Sequence, residues 1–136
     1  MTPFWLTLEH VFFSDGNTKG ISWTVKTGES KIEQKREHAE MYVDRVTNEQ
    51  SKYIALHVGI FWGIGTFVIK NGDTINVMLD LKSMYECLTN NSKSSDDFID
   101  ARMDFINQLI AQRKLDIHYH LIDSKENLAS NLLKII

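Results

Sequence analysis

The chain has 136 residues, 43% of them apolar, which is enough for one buried core and too little for two ordinary ones, so it reads as a single domain over residues 1–136. With 15 Lys and Arg against 18 Asp and Glu the net charge is −3, which excludes a uniformly basic nucleic-acid binder and requires any phosphate-binding face to be local. A lone cysteine, Cys87, excludes an internal disulfide and a cysteine-based zinc cluster, and its neighbours Met84, Tyr85 and Leu88 predict a buried structural thiol.

In chain order, residues 1–8 lack the basic start of a signal peptide. Val11 to Asp15 (VFFSD), a polar turn from Gly16 to Gly20, and Ile21 to Val25 (ISWTV) predict a hairpin. Glu29 to Tyr42 is densely charged and fits either an exposed third strand or a solvated helix. Tyr53, Leu56, Ile60 and Ile64 then recur at helical spacing between about Asn48 and Ile64. The apolar run from Ile54 to Ile69 is broken by His57, Gly59, Gly63 and Gly65, so no membrane span is expected and a cytoplasmic location is the default.

Ile75 to Asp80 (INVMLD) predicts a central strand, followed by a short helix carrying Met84, Tyr85 and Leu88. Ser95 is the expected N-cap of a helix from Asp96 to Lys114, with Phe98, Phe105 and Leu109 as its buried side. Leu115 to Ile122 alternates as a half-buried strand, and Ser124 to Ile136 reads as a closing amphipathic helix. The predicted order is two or three strands, helix, strand, two helices, strand, helix.

Four segments in this order carry a family resemblance. FSDGNTKGISW (Phe13 to Trp23) looks like an opening Asp-Gly turn with its returning strand, and TNEQSKYIALHVGI (Thr47 to Ile60) is similar to a helix that normally reads Ala-Glu-Tyr-x-Ala-Leu. VMLDLKSMYECL (Val77 to Leu88) looks like a Thr-Asp-Ser segment and its helix, and ENLASNLL (Glu126 to Leu133) resembles a closing Glu-Asn-x-x-Ala-Asp-x-Leu. Together they resemble the ribonuclease H family. The resemblance implies an α/β fold with a mixed five-stranded sheet flanked by helices.

It also implies a site. In the family, two divalent cations about 4 Å apart activate water and stabilise the leaving oxygen of a phosphodiester, and such hard cations need a cage of carboxylate oxygens. Asp15 matches the first of four carboxylates and Asp80 the third, whereas Lys52 falls where the second, a Glu, belongs and Asn131 where the fourth, an Asp, belongs. At about 5 Å and an effective dielectric of about 20, one lysine opposes each unit of cation charge by roughly 3 kcal/mol. Two readings of Lys52 stay open: it acts as counter-ion to Asp15 and Asp80 in place of metal, or Glu49, one turn earlier, serves as a substitute ligand. No cofactor is expected on the first reading, and Mg2+ or Mn2+ on the second.

Other candidates have plain structural readings. His118 and His120 share one face of a strand and, lacking a third ligand, read as exposed; His57 reads as a satisfied, partly buried histidine; Trp5, Trp23 and Trp62 read as packing residues. The most basic stretch, with Lys31, Lys35 and Arg36, is the candidate phosphate contact. The function expected is a ribonuclease H-like domain of degenerate site, non-catalytic or nearly so, binding nucleic acid such as an RNA-DNA hybrid or a protein partner. The alternatives are an active metal-dependent ribonuclease H on such hybrids and a structural homodimerisation module.

Overall fold

The computed structural model describes residues 7–134, so Trp5 lies outside the described residues. Its elements are β1 (Glu9–Gly16), β2 (Gly20–Thr27), β3 (Ser30–Glu37), α1 (Asn48–Gly65), β4 (Thr74–Leu79), α2 (Lys82–Asn90), α3 (Asp97–Arg113), β5 (Asp116–Leu121), a 3-10 turn (Ser124–Glu126) and α4 (Leu128–Leu133). The charged stretch after Gly28 is the third strand: alternation leaves only Ile32 and Gln34 half-buried, as suits an edge.

The sheet order is β3-β2-β1-β4-β5, with β1 antiparallel to β2, β2 antiparallel to β3, and β1, β4 and β5 parallel. Two parallel neighbours need crossovers, which α1 supplies between β3 and β4 and the α2–α3 pair supplies between β4 and β5. One face of the sheet, carrying Phe12, Trp23, Val25, Ile75 and Val77, packs beneath α1 to form a core with α3 behind it. Gly59 permits this approach, since a Cβ there would collide with Phe12 and Trp23. The other face is covered by α4, against β1 and β2. Among the described residues no helix is long and apolar enough to cross a membrane.

Several local expectations are corrected. The N-cap of α3 is Asp96, whose side chain accepts from the Phe98 and Ile99 amides, while Ser95 stays outside the cap. Of the expected buried side of α3, Leu109 is buried and Phe98 packs half-buried against the core, whereas Phe105 is 52% exposed and the stripe is completed by Ile99, Met103 and Ile106. The closing segment is two pieces, because Asn127 leaves the helical region (φ −80°, ψ 104°) and caps α4 with its own side chain. Cys87 is half-buried.

Candidate functional site

The site assembles where β1 and β4 end side by side. Parallel pairing brings Asp15, at the end of β1, beside Asp80, just beyond β4. Gly16 follows Asp15 because α1 passes so close that any Cβ would strike Ser51. Helix α1 is started by a capping box, in which the Thr47 hydroxyl accepts from the Gln50 amide and the Gln50 side chain accepts from the Thr47 amide. Lys52 therefore stands on the second turn of α1, over the ends of both strands.

Its ammonium donates to Asp15 Oδ1 at 2.6 Å and to Asp80 Oδ1 at 3.0 Å. The three side chains are 19%, 13% and 7% exposed, so the pairing is mostly but not wholly withdrawn from solvent and differs from a surface ion pair. Burial alone would lower the Lys52 pKa; its hydrogen bonds to the two carboxylates and their charges outweigh that, leaving it raised above the ordinary lysine value. The second oxygens are also used. Asp15 Oδ2 accepts from the Ser130 hydroxyl at 2.6 Å, and Asp80 Oδ2 accepts from Asn127 Nδ2 at 3.0 Å. Asn127, 2% exposed, also donates to the Ser14 carbonyl, so one amide ties β1, the end of β4 and the start of α4 together.

Asn131 does not reach this cluster. It lies on the exposed side of α4, and Ser130, one residue earlier, faces Asp15. The side chain of Glu49 accepts from Ser83 at the start of α2. Among the described residues no group of three or more His, Cys, Asp or Glu side chains could hold a metal ion. Asp15, Lys52 and Ser130 open onto a cleft of about 280 Å3 that also involves Asn17, Leu133 and Lys134.

The basic stretch does not form one surface. In the strand register Lys35 pairs with Ser22, which pairs with Asp15, so Lys35 lies in the same row and on the same sheet face as the site. Lys31 lies at the other end of β3, beside Lys26 and bridged to Glu33 at 3.0 Å. Arg36 belongs to the opposite face, where its guanidinium lies 5.5 Å from the Trp23 ring centre. His118 and His120 are exposed on β5, against Asp116 and Asn76 respectively. His57 is half-buried: its Nδ1 accepts from Arg102 at 3.1 Å and its ring stacks on Phe105. Burial first, and then the Arg102 charge, push its pKa down. Trp23 is buried in the core and Trp62 packs against it, their ring centres 5.7 Å apart.

Sequence reasoning missed Ser130, Asn127 and His38. His38 Nε2 donates to the Asn17 carbonyl and to the Ser51 hydroxyl, which pins the β1–β2 turn to α1; burial lowers its pKa against the opposing effect of the Asn17 bond. Only Asn127 had a readable signal, since it opens the closing motif.

No known sequence family matches the chain, and no curated protein sequence does either. Solved structures do. The N-terminal RNase H domain of Rv2228c from Mycobacterium tuberculosis is similar with a TM-score of 0.74 and 18% identity over 94% of this chain and 95% of that one. RNase H1 from Halobacterium salinarum gives 0.69 and 16% over 96% and 99%, and LC11-RNase H1, solved in complex with an RNA/DNA hybrid, gives 0.64 and 14% over 93% of each. The chain thus has the ribonuclease H-like fold, with its mixed five-stranded sheet flanked by helices.

Proposed function

We propose that this is a ribonuclease H-like domain that binds nucleic acid and hydrolyses it slowly or not at all. The observation that carries the reading is the Lys52 ammonium held between Asp15 and Asp80. Two carboxylates and one ammonium leave a single net negative charge, and the remaining contacts are a hydroxyl and an amide. That donor set does not suit a pair of hard divalent cations, which need several anionic oxygens and no competing cation. Lys52 supplies the positive charge itself and holds the two strand ends together without metal.

A nucleic acid is the ligand of choice because a neighbour of the same fold, LC11-RNase H1, was solved in complex with an RNA/DNA hybrid. The test is a labelled hybrid offered with Mg2+ or Mn2+, with binding followed by anisotropy and cutting by gel. Expected are binding that weakens as salt rises and cleavage no faster than in Asp80→Asn. Cutting at ordinary enzyme rates, abolished by Asp80→Asn, would return the domain to the active ribonucleases H.

A further inference from the structure

A second cavity adjoins the cleft. It encloses about 580 Å3 between the β1–β2 turn, the end of β3, the following loop and the end of α4, and its walls include Lys19, Lys35, His38, Val43 and Leu133. Asn17 and Leu133 line both spaces, so the cleft at Asp15 and Lys52 continues into it. The row Asp15, Ser22, Lys35 crosses three strands, which sets Lys35 about 10 Å from Asp15 on one sheet face.

The cations lining this furrow are Lys19 and Lys35 in the cavity, beside Glu37 and Glu40, and Lys134 in the cleft; the Arg36 guanidinium lies over Trp23 on the other sheet face, and Lys52 is taken up by Asp15 and Asp80. Lys19 already bonds an anion, Asp44, at 2.8 Å, but that pair is 68% and 58% exposed and so is cheaply exchanged for a phosphate. The apolar wall at Val43 and Leu133 suits the sugar faces between phosphates.

We infer that one strand of a nucleic acid runs from the Asp15–Lys52 cleft past Asn17 into this cavity, with Lys19 and Lys35 contacting its phosphates. The inference rests on the nucleic-acid reading above and adds the path. It makes the useful cations of the basic hairpin those at the β1–β2 turn and the end of β3, and sets aside Lys31, about 13 Å along the strand from Lys35.

The test compares two double variants of equal charge change in the full chain: Lys19→Glu with Lys35→Glu in the furrow, and Lys26→Glu with Lys31→Glu at the far end of the same hairpin. Binding of a labelled RNA/DNA hybrid is measured over a range of salt. Removing one lysine–phosphate pair lowers the slope of log affinity against log salt by about 0.9 on a duplex. The furrow variant should lose between about 1 and 2 of slope and about tenfold or more in affinity, with the far-end variant close to wild type. The alanine pair Lys19→Ala with Lys35→Ala should act in the same direction, which covers a glutamate variant that misfolds. Equal effects of the two charge reversals, or an unchanged slope in the furrow variants, overturn the path while leaving nucleic-acid binding intact. Absence of salt-dependent binding by the wild-type chain overturns the nucleic-acid reading itself, and the path with it.

Discussion

Strand β1 carries a polar cluster at each end, and the two are built oppositely. At its start His10 and Asp73 are both fully buried; Asp73 accepts from the Leu8 and Lys70 amides and from His10, whose other nitrogen meets the Thr27 hydroxyl at 2.6 Å. Every strong group there is satisfied by the protein, and neither His10 nor Asp73 borders the furrow. At its end, Asp15 and Lys52 border a cleft, and their charge balance depends on one flexible side chain. A closed network staples the start of the strand to the loop before β4; an open one of similar chemistry is available to a ligand. The difference is access to solvent, not residue type.

The largest effect is expected where closure is complete. Asp73→Ala strands two amides and a histidine in a dry interior and should cost about 3–5 kcal/mol, read as a lower urea midpoint with an unchanged slope. If the loss is under about 1 kcal/mol, the staple is not the structural half of the comparison. Lys52→Met keeps most of the volume but leaves Asp15 and Asp80 facing each other without a cation. Because these groups are partly solvated, about 2 kcal/mol is expected. Adding Asp15→Asn and Asp80→Asn should recover much of it, because the effects of touching residues are coupled. Strict additivity would deny the ion-pair reading.

Metal affinity sharpens the same contrast. Lys52→Glu with Ser130→Asp replaces a cation by an anion and adds a second anion beside Asp15, a change of three charge units where hard cations would sit. Calorimetry with Mn2+ should detect binding stronger by at least tenfold than in the parent, and stronger than in Lys52→Glu with Asn131→Asp, since Asn131 faces away. Equal affinity for both double variants would contradict the position of Ser130.

The smallest effects concern pH. The Lys52 pKa is raised, so the stability it contributes is complete below the ordinary lysine value of 10.5 and fades only as pH rises through the higher folded value. The pKa values of His38 and His57 are lowered from 6.5, so the unfolded chain takes up their protons first, and stability should decline as pH falls below about 6.5. Melting temperature scanned between pH 5 and 8 checks this, and His57→Gln should flatten part of the slope.

The β1–β2 hairpin and most helix positions could be read from the chain, because alternation, capping residues and an Asp-Gly turn are local signals that act within a few residues. The mixed sheet and the roles of Asp15 and Asp80 came only with the family resemblance, and β3 stayed open between strand and helix. The substitution at Lys52 was legible only through that resemblance, from its place one residue before Tyr53 in the helix that resembles Ala-Glu-Tyr-x-Ala-Leu. Local signals failed wherever a choice lay between adjacent residues. Ser130 and Asn131, the position the resemblance gave to the fourth carboxylate, differ by a single step of about 100° around α4, and which of them faces Asp15 is set by what the helix packs against. The choice of Asp96 over Ser95 as cap is set by where the backbone enters the helix. For α4 that setting comes from Asn127, whose amide must reach the Ser14 carbonyl and Asp80 at once. The His10–Asp73 staple and the furrow joining Asp15 to Lys35 were beyond local reading for the same reason. Their members lie 63 residues apart in the first case and on strands separated by β2 in the second. Only the assembled sheet, with α1 and α4 on its two faces, brings them together.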